Sequence, residues 1–148
     1  MESSVAEREL DAVLATLYGA VSGPAGAARD WTALASLFHP SARLLCLDAG
    51  VDGYDGAAMT LDDYRRTRSP FFDSTDFHET EFRRETHLQG PLALVYSWYA
   101  GRRRPGGEDL VRGVNAIQLC RQRGRWVILS VAWYRDHDAV GPLPRAHE

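Results

Sequence analysis

Three side chains of this sequence suit acid–base chemistry or hydrogen bonding to a substrate: Asn115, His78 and Asp48. An asparagine amide can donate a hydrogen bond to a carbonyl oxygen, and histidine is the usual general acid or base near neutral pH. The carboxylate of Asp48 could act as a base. Each residue also has a structural interpretation. Asn115 could bond backbone groups at a strand irregularity near Gly113. His78 could be a strand-edge residue satisfied by a neighbour or by water, and Asp48 a solvated acid in a loop.

The last third of the chain contains the elements that would position these side chains. Four long runs rich in aromatic and β-branched residues lie between Phe77 and Asp136, with only three short breaks. Such runs are typical of strands, and the short breaks predict a four-stranded antiparallel meander. Sheets of long strands must twist and curl, and a curled sheet backed by helices encloses a pocket. The breaks fall at Gln89-Gly90-Pro91, Arg104-Pro105-Gly106-Gly107 and Arg123-Gly124.

The preceding part of the chain predicts three helices and one short strand. Apolar residues recur at helical spacing from Val5 to Val21. Asp30 is a good N-cap for a second helix, and Thr60 with Asp63 resembles a capping box for a third. Helices gathered before antiparallel strands indicate an α+β domain with the helices on one face of the sheet. The predicted elements are a helix over residues 5–21, a helix from Trp31 to Phe38, a strand from Ala42 to Leu47, a loop from Asp48 to Met59, and a helix from Leu61 to Arg68 that Ser69-Pro70 closes.

The composition excludes several classes of function. The formal net charge of −3 provides no field that would attract nucleic acid. No apolar run approaches the roughly 20 residues of a membrane span, and the chain contains no lysine for Schiff-base chemistry. The first residues are acidic and polar rather than signal-like, so we expect a cytoplasmic protein in which Cys46 and Cys120 are reduced thiols. We expect one domain over residues 1–140 and a mobile tail from Gly141 to Glu148.

No motif for a metal or a cofactor is complete. Asp48, Asp52 and Asp55 lie among glycines, but their spacing is not that of a calcium-binding EF-hand and no bidentate glutamate follows. His78-Glu79 lacks the second histidine of a zinc-binding helix. The sequence has neither a nucleophile elbow nor a phosphate-binding loop. We therefore expect no cofactor and no metal.

Two blocks of the sequence resemble the nuclear transport factor 2-like superfamily, which includes SnoaL-like proteins. The first block is Asp30-Trp31 with Leu34, Leu37-Phe38 and Ala42. The second runs from Phe77 through Gly90-Pro91 to Arg125-Trp126 and is similar to a group of uncharacterised bacterial members. The resemblance covers nearly the whole chain. It implies a cone-shaped α+β barrel in which three N-terminal helices pack on a strongly curved antiparallel sheet.

The resemblance also suggests roles for individual residues. By its place on the penultimate strand, Asn115 resembles the position that holds an acidic oxyanion donor in ketosteroid isomerases. Cys46 stands roughly where those isomerases carry their catalytic base, and a neutral thiol is a poor base. Asp48, two residues on, could substitute for it. The spacing from His78 to Ala93 resembles that of a catalytic histidine in scytalone dehydratases.

The same resemblance implies which face of the sheet lines the pocket. Leu94, Tyr96 and Trp98 alternate along one strand and share a face, which lines the cone in the superfamily. We therefore expect Tyr96, Trp98 and Asn115 to point into one cavity, with His78 near its wall. The other candidate ligand contacts are Tyr18, Cys46, Tyr64 and Phe72.

The opposite face of the sheet is apolar as well. It holds Ala93, Val95, Ser97 and Tyr99, and the parity of the last strand stays open. One face covers the helices and the other needs a partner, so we expect a homodimer through that second face. The last-strand counterparts are either Val127, Leu129, Val131 and Trp133 or Trp126, Ile128, Ser130, Ala132 and Tyr134.

Together these features favour a SnoaL-like protein with a small-molecule pocket, for which the first candidate function is that of an enzyme. It would be an isomerase, dehydratase or cyclase that acts on an apolar, carbonyl-bearing ligand by acid–base catalysis. The alternative is a non-catalytic small-molecule-binding or dimerisation module, because Cys46 stands where a base is wanted. The superfamily contains enzymes, binding domains and scaffolds, so the fold alone does not decide between these functions.

Overall fold

The computed structural model describes residues 4–47 and 57–136. The elements follow the predicted order of helix, helix, strand, helix and four strands, which confirms the α+β class. The predicted tail from Gly141 to Glu148 and most of the predicted loop lie outside the described residues. No described helix is both long and apolar enough to cross a membrane. The elements are α1 (Val5–Ala20), α2 (Trp31–Ala35), β1 (Phe38–Cys46), α3 (Leu61–Ser74), β2 (His78–Gln89), β3 (Leu92–Arg102), β4 (Asp109–Gln122) and β5 (Arg125–Arg135).

The five strands form one curved sheet that does not close into a complete barrel. Its order is β1-β5-β4-β3-β2, and β2 to β5 are the predicted antiparallel meander. β1 is longer than predicted and pairs with β5 in the parallel sense, through Leu44 with Val131 and Cys46 with Trp133. A parallel pair needs a long crossover, and here the rest of the sheet and α3 provide it.

The helix starts agree with their sequence signals. The Asp30 carboxylate accepts a hydrogen bond of 3.0 Å from the backbone N–H of Ala33 at the start of α2. Thr60 and Asp63 exchange two hydrogen bonds of 3.1 Å and form the predicted capping box of α3. These caps satisfy N–H groups that the helix itself leaves without partners.

Two helix ends differ from the prediction. α2 stops at Ala35 because Phe38 already pairs with Ile128 as the first residue of β1. α3 continues past the predicted stop to Ser74, with Pro70 inside it. A proline inside a helix costs about 3 kcal/mol. Continuing the helix buries Phe71 and Phe72, and each buried side chain of that size contributes roughly 1.5–3 kcal/mol.

Two bulges set which side chains face the helices. The register between β2 and β3 shifts between Glu81 and Arg83, and the register between β4 and β5 shifts so that Leu129 has no partner. Each shift reverses the alternation of side chains along its strand. On β5 the inner face therefore changes parity, and neither predicted alternation holds along the whole strand. The inner residues of β5 are Trp126 and Ile128 before the bulge and Val131 and Trp133 after it.

Candidate functional site

A small cavity lies between the inner face of the sheet and the three helices. Its volume is about 80 Å³. Its wall is mainly aromatic and aliphatic, with few polar groups. The lining side chains are Leu17, Val21, Leu34, Phe38, Leu44, Tyr64, Arg68, Phe71, Phe72, Phe77, Glu79, Tyr99, Val111, Asn115, Val131, Trp133 and Arg135.

Glu79 is the acidic group of this cavity. Its position follows from the alternation of β2, in which Phe77 and Glu79 lie on the inner side opposite Gly101. Burial raises the pKa of the Glu79 carboxyl to about 7, and the positive charge of Arg68 opposes that rise. Within residues 4–47 and 57–136, no side chain hydrogen-bonds or ion-pairs with this carboxylate. A carboxyl that titrates near neutral pH in a largely apolar cavity is able to both take and give a proton.

Two tyrosine hydroxyls also belong to the cavity wall. Burial raises the pKa of Tyr64 to about 12 and raises the pKa of Tyr99 further. Both hydroxyls therefore keep their protons at neutral pH and can donate hydrogen bonds. Tyr64 packs edge-on against Trp133, with ring centroids 5.8 Å apart, so its ring is held by the cavity wall.

Asn115 reaches the cavity from β4 as part of a buried hydrogen-bond chain. Its Nδ2 lies 3.0 Å from the hydroxyl of Tyr18 on α1, and that hydroxyl lies 2.6 Å from Oγ of Ser97 on β3. Ser97 Oγ bonds in turn to the carboxylate of Glu81. Arg84 binds the same carboxylate, with Nη2 2.7 Å from Oε1. The chain thus runs from the cavity wall to an ion pair at the protein surface.

The ion pair at one end fixes which group donates and which accepts in each hydrogen bond of this series. The Glu81 carboxylate can only accept hydrogen bonds, so Ser97 donates to it. The hydroxyl hydrogen of Ser97 is then used, and the hydroxyl of Tyr18 must donate to Ser97. The oxygen of Tyr18 is left to accept from Asn115, which fixes the Asn115 amide with its nitrogen toward Tyr18. Burial raises the pKa of Tyr18 far above its usual range, which keeps that donor proton in place.

The predicted position of Leu94, Tyr96 and Trp98 is wrong. These side chains lie on the outer face of the sheet, where Leu94 is 39% and Tyr96 38% exposed. The pairing explains the placement, because Ser97 lies opposite Asn115 and Tyr96 lies opposite Ala116. Directly paired residues share a face, so Tyr96 and Asn115 point in opposite directions. Alternation identified the two faces, and the inner one is Ala93, Val95, Ser97 and Tyr99.

The other predicted residues divide between the cavity and its surroundings. Tyr64 and Phe72 line the cavity, while their binding to a ligand stays a prediction. His78 is not in the cavity wall. It lines a polar groove next to the cavity together with Tyr18, and Glu79 borders both spaces.

Neither of the two positions considered for a base near the end of β1 is found among the described residues of the cavity wall. Cys46 is a half-buried free thiol that does not line the cavity, and its Sγ lies 3.6 Å from Nη2 of Arg135. Asp48 lies outside the described residues. The remaining acidic candidate is thus Glu79, which sequence reasoning did not select. The sequence feature that could have identified Glu79 is its spacing from Phe77. Two residues apart on a strand, the aromatic ring and the carboxylate share one face, so Glu79 follows Phe77 toward the core.

Comparison with known proteins identifies the fold. No protein-family model and no curated protein matches the chain. A protein of unknown function with a cystatin-like fold from Nostoc punctiforme superposes with a TM-score of 0.69 at 13% identity, over 92% of this chain and 96% of that chain. A proposed dehydratase of the NTF2-like family from Streptomyces avermitilis gives a TM-score of 0.61 at 15% identity, over 87% and 94%.

A third solved structure superposes on nearly the whole chain as well. It is a proposed ketosteroid isomerase from Shewanella frigidimarina, with a TM-score of 0.56 at 13% identity over 88% of this chain and 95% of that chain. Likeness at these identities concerns the backbone. The chain has the nuclear transport factor 2-like, or cystatin-like, fold, as the resemblance of its sequence implied.

Proposed function

We propose that this chain is an enzyme that moves a proton on a small, mostly apolar, carbonyl-bearing molecule, as an isomerase, dehydratase or cyclase does. The observation that carries the proposal is the Glu79 carboxyl in an aromatic cavity, with a pKa raised to about 7 and no hydrogen-bond partner among the described residues. A general base works best when its pKa lies near the working pH. The cavity is about half as large as the roughly 150 Å³ cavity that binds benzene, so the buried part of the substrate is small.

The proposed reaction uses Glu79 as both base and acid. Its carboxylate takes a proton from the carbon next to the substrate carbonyl, and the C–H electron pair moves into an enolate. Asn115 or a tyrosine hydroxyl of the wall donates a hydrogen bond to the enolate oxygen. Glu79 then returns its proton to carbon, or to a leaving hydroxyl group. Proton transfer by a positioned group contributes about 10²–10⁴-fold to the rate, and one oxyanion donor a similar factor.

The comparisons support this class of reaction at the level of the fold. Two of the similar structures are named as a proposed dehydratase and a proposed ketosteroid isomerase. His78 borders the groove rather than the cavity, so in this proposal it contacts a part of the substrate outside the aromatic wall or exchanges the proton of Glu79 with solvent.

Deuterium exchange tests the proposal without knowledge of the natural substrate. Butanone, cyclopentanone and mesityl oxide are incubated with the protein in deuterated buffer, and NMR follows exchange of the protons next to the carbonyl. We expect exchange above the buffer rate for at least one ketone and its loss in Glu79→Gln. The matched control is Glu85→Gln, because Glu85 lies on the same strand in a solvent-exposed ion pair. Equal exchange rates in Glu79→Gln and the wild type would refute the role of Glu79.

The second candidate is a non-catalytic binding module. It is favoured by Cys46, which stands where the resemblance places a base but lies outside the cavity wall. In that case ketones would bind to the wild type and to Glu79→Gln with no exchange in either protein. The same NMR samples separate the two functions.

We also propose that two copies of the chain pair through the outer face of the sheet. Phe82, Leu92, Leu94, Tyr96 and Tyr134 are each between 38% and 50% exposed there. Large apolar side chains grouped on one sheet face are typical of an interaction surface. A second copy presents the same face and is always present at equal concentration, which makes it the partner that we propose.

A further inference from the structure

We propose that the molecule held in the cavity carries a carboxylate, and that Arg68 binds this carboxylate. The inference rests on the proposed function only in placing the reacting molecule in the same cavity. It adds the chemical class of the substrate, a small oxo acid or unsaturated acid, and a residue that selects it.

Arg68 lies on the wall of the cavity with its hydrogen-bonding capacity unused. It is half-buried on α3, and its guanidinium lies 6.0 Å from the ring centroid of Trp133, which also lines the cavity. Among residues 4–47 and 57–136, nothing accepts a hydrogen bond from Arg68 or forms an ion pair with it. A guanidinium carries five N–H donors, and a partly desolvated cation is costly without a partner.

Comparable arginines elsewhere in the protein do have carboxylate partners. Arg84 pairs with Glu81 and Asp11, and Arg102 pairs with Asp109 at 2.8 Å. Their side chains are 22% and 25% exposed. Arg29 is buried without a carboxylate partner, but its guanidinium donates to backbone carbonyl oxygens instead. Arg68 departs from the pattern of these three arginines, and it lines the aromatic cavity.

Glu79 does not serve as the missing partner. The two residues line the same cavity, and the charge of Arg68 lowers the pKa of Glu79, yet no ion pair forms between them. A ligand carboxylate would form the ion pair that Arg68 lacks and leave Glu79 available for proton transfer. In this arrangement Arg68 holds the carboxylate end of the substrate, and the reacting carbon lies near the carboxyl group of Glu79.

The geometry of a guanidinium favours a carboxylate over other anions here. Its planar edge presents two parallel N–H groups that match the two oxygens of a carboxylate. The Cζ of Arg68 lies over the Trp133 ring, 6.0 Å from its centroid, and no described residue accepts a hydrogen bond from the guanidinium. The cavity is small, about 80 Å³, and this favours a compact planar carboxylate over a larger tetrahedral phosphate.

Binding measurements on matched acid and amide pairs test the inference. The probes are crotonate with crotonamide, levulinate with levulinamide, and benzoate with benzamide, measured by calorimetry and ligand-observed NMR. We expect at least one acid to bind the wild type about tenfold more tightly than its amide, since a charge-assisted pair is roughly twice as strong as a neutral hydrogen bond. Arg68→Gln should remove the difference and leave the affinity of the amide unchanged within about twofold.

Two further variants keep the test sharp. Arg66→Gln is the matched control, because Arg66 lies on the same helix with a 72% exposed side chain paired to Asp63. It should bind acids as the wild type does. Glu79→Gln should also keep its preference for acids while it loses proton exchange, so failure of the proposed reaction and failure of this inference give different results. Amides that bind as tightly as acids, no binding of any acid, or a preference that survives Arg68→Gln would each overturn the inference.

Discussion

Tyr18 and Asn115 are 97 residues apart in the chain, and a hydrogen bond of 3.0 Å joins the Nδ2 of Asn115 to the hydroxyl of Tyr18. The same hydroxyl donates to Ser97 across 2.6 Å. This contact ties α1 to two central strands at the edge of the cavity. Because it also fixes the orientation of the Asn115 amide, it connects the stability of the fold with the chemistry of the site.

Loss of the Tyr18 hydroxyl should destabilise the protein. Tyr18→Phe leaves a buried amide N–H and a buried serine oxygen without their partner, at an expected cost of about 1–3 kcal/mol in the free energy of unfolding. Urea unfolding followed by circular dichroism measures this. Tyr96→Phe is the control, because Tyr96 is exposed on the outer face and should change stability by less than about 0.5 kcal/mol. Equal unfolding free energies for the two variants would show that the hydroxyl of Tyr18 contributes nothing.

Glu79 should make the protein less stable as the pH rises. Its pKa is raised from 4.5 to about 7 in the folded state, so the folded state binds more protons than the unfolded state between these values. The contribution to stability is therefore complete below about pH 4.5 and is lost as the pH rises through about 7, by roughly 3 kcal/mol in all. Glu79→Gln resembles the protonated form and should remove this loss.

Urea titrations at two pH values check that sign. At about pH 8, Glu79→Gln should be more stable than the wild type, and at about pH 4 the two should be nearly equal. Glu85→Gln removes a carboxylate from the same strand without burial and should show no such difference. A wild type that gains stability relative to Glu79→Gln on going to alkaline pH would contradict the buried position of the Glu79 carboxyl.

Arg68 should hold the pKa of Glu79 down in the protein without ligand. The positive charge of Arg68 favours the ionised carboxylate, so Arg68→Gln should raise the pKa of Glu79 above its value of about 7. Titration of the Glu79 side-chain carbon by NMR gives this value directly. Arg66→Gln should leave it unchanged, because Arg66 pairs with Asp63 in solvent. A pKa that falls in Arg68→Gln would mean that the two charges do not interact as the structure indicates.

The sequence was sufficient for those features that depend on local chemistry. The four strands, their breaks, and the caps at Asp30 and Thr60 all follow from residue types that act within a few positions of one another. The helix continuing through Pro70 did not follow, because its cost is offset by the burial of Phe71 against Phe77 and of Phe72 against Trp31. These are tertiary contacts that residue types around Pro70 do not reveal.

The alternation of side chains along the strands does not show which face of the sheet packs against the helices. A period of two divides β3 into two sets of side chains, but both sets are apolar, so the sequence does not indicate which set meets the helices. The bulges after Glu81 and at Leu129 reverse the alternation within single strands. The family resemblance supplied the choice between the two sets of β3, and that choice is wrong for Tyr96 and Trp98. Asn115 reached the cavity as predicted, because its neighbours Gly113 and Ile117 are buried on the same face.

The outer sheet face should hold two copies of the chain together. Light scattering at tens of micromolar should give the mass of a dimer, and Tyr96→Glu should give that of a monomer, because a charge at this position would be buried without a partner in the interface. Val5→Glu is the control, since Val5 is 63% exposed on α1 rather than on the sheet. A monomeric wild type, or a dimer unaffected by Tyr96→Glu, would show that this face is not the interface.

Gly113 should be required for the position of Tyr99 in the cavity wall. A Cβ at this residue would overlap the backbone carbonyl oxygen of Tyr134 and lie 2.7 Å from the hydroxyl oxygen of Tyr99. Relief of both contacts needs a shift of the β5 backbone at Tyr134 as well as a shift of the Tyr99 ring. We expect Gly113→Ala to cost about 1–3 kcal/mol in the free energy of unfolding, as overpacking of a core does.

The matched control for that substitution is Gly19→Ala on α1. Gly19 has open space around its Cα, and alanine in place of glycine inside a helix stabilises by about 0.5–1 kcal/mol. The two variants make the same chemical change, so their opposite signs isolate the close approach of β5 and Tyr99. If the proposed reaction uses the cavity wall, Gly113→Ala should also slow the deuterium exchange of ketones. Unfolding free energies that change alike in both variants would show that the space above Gly113 is not restricted.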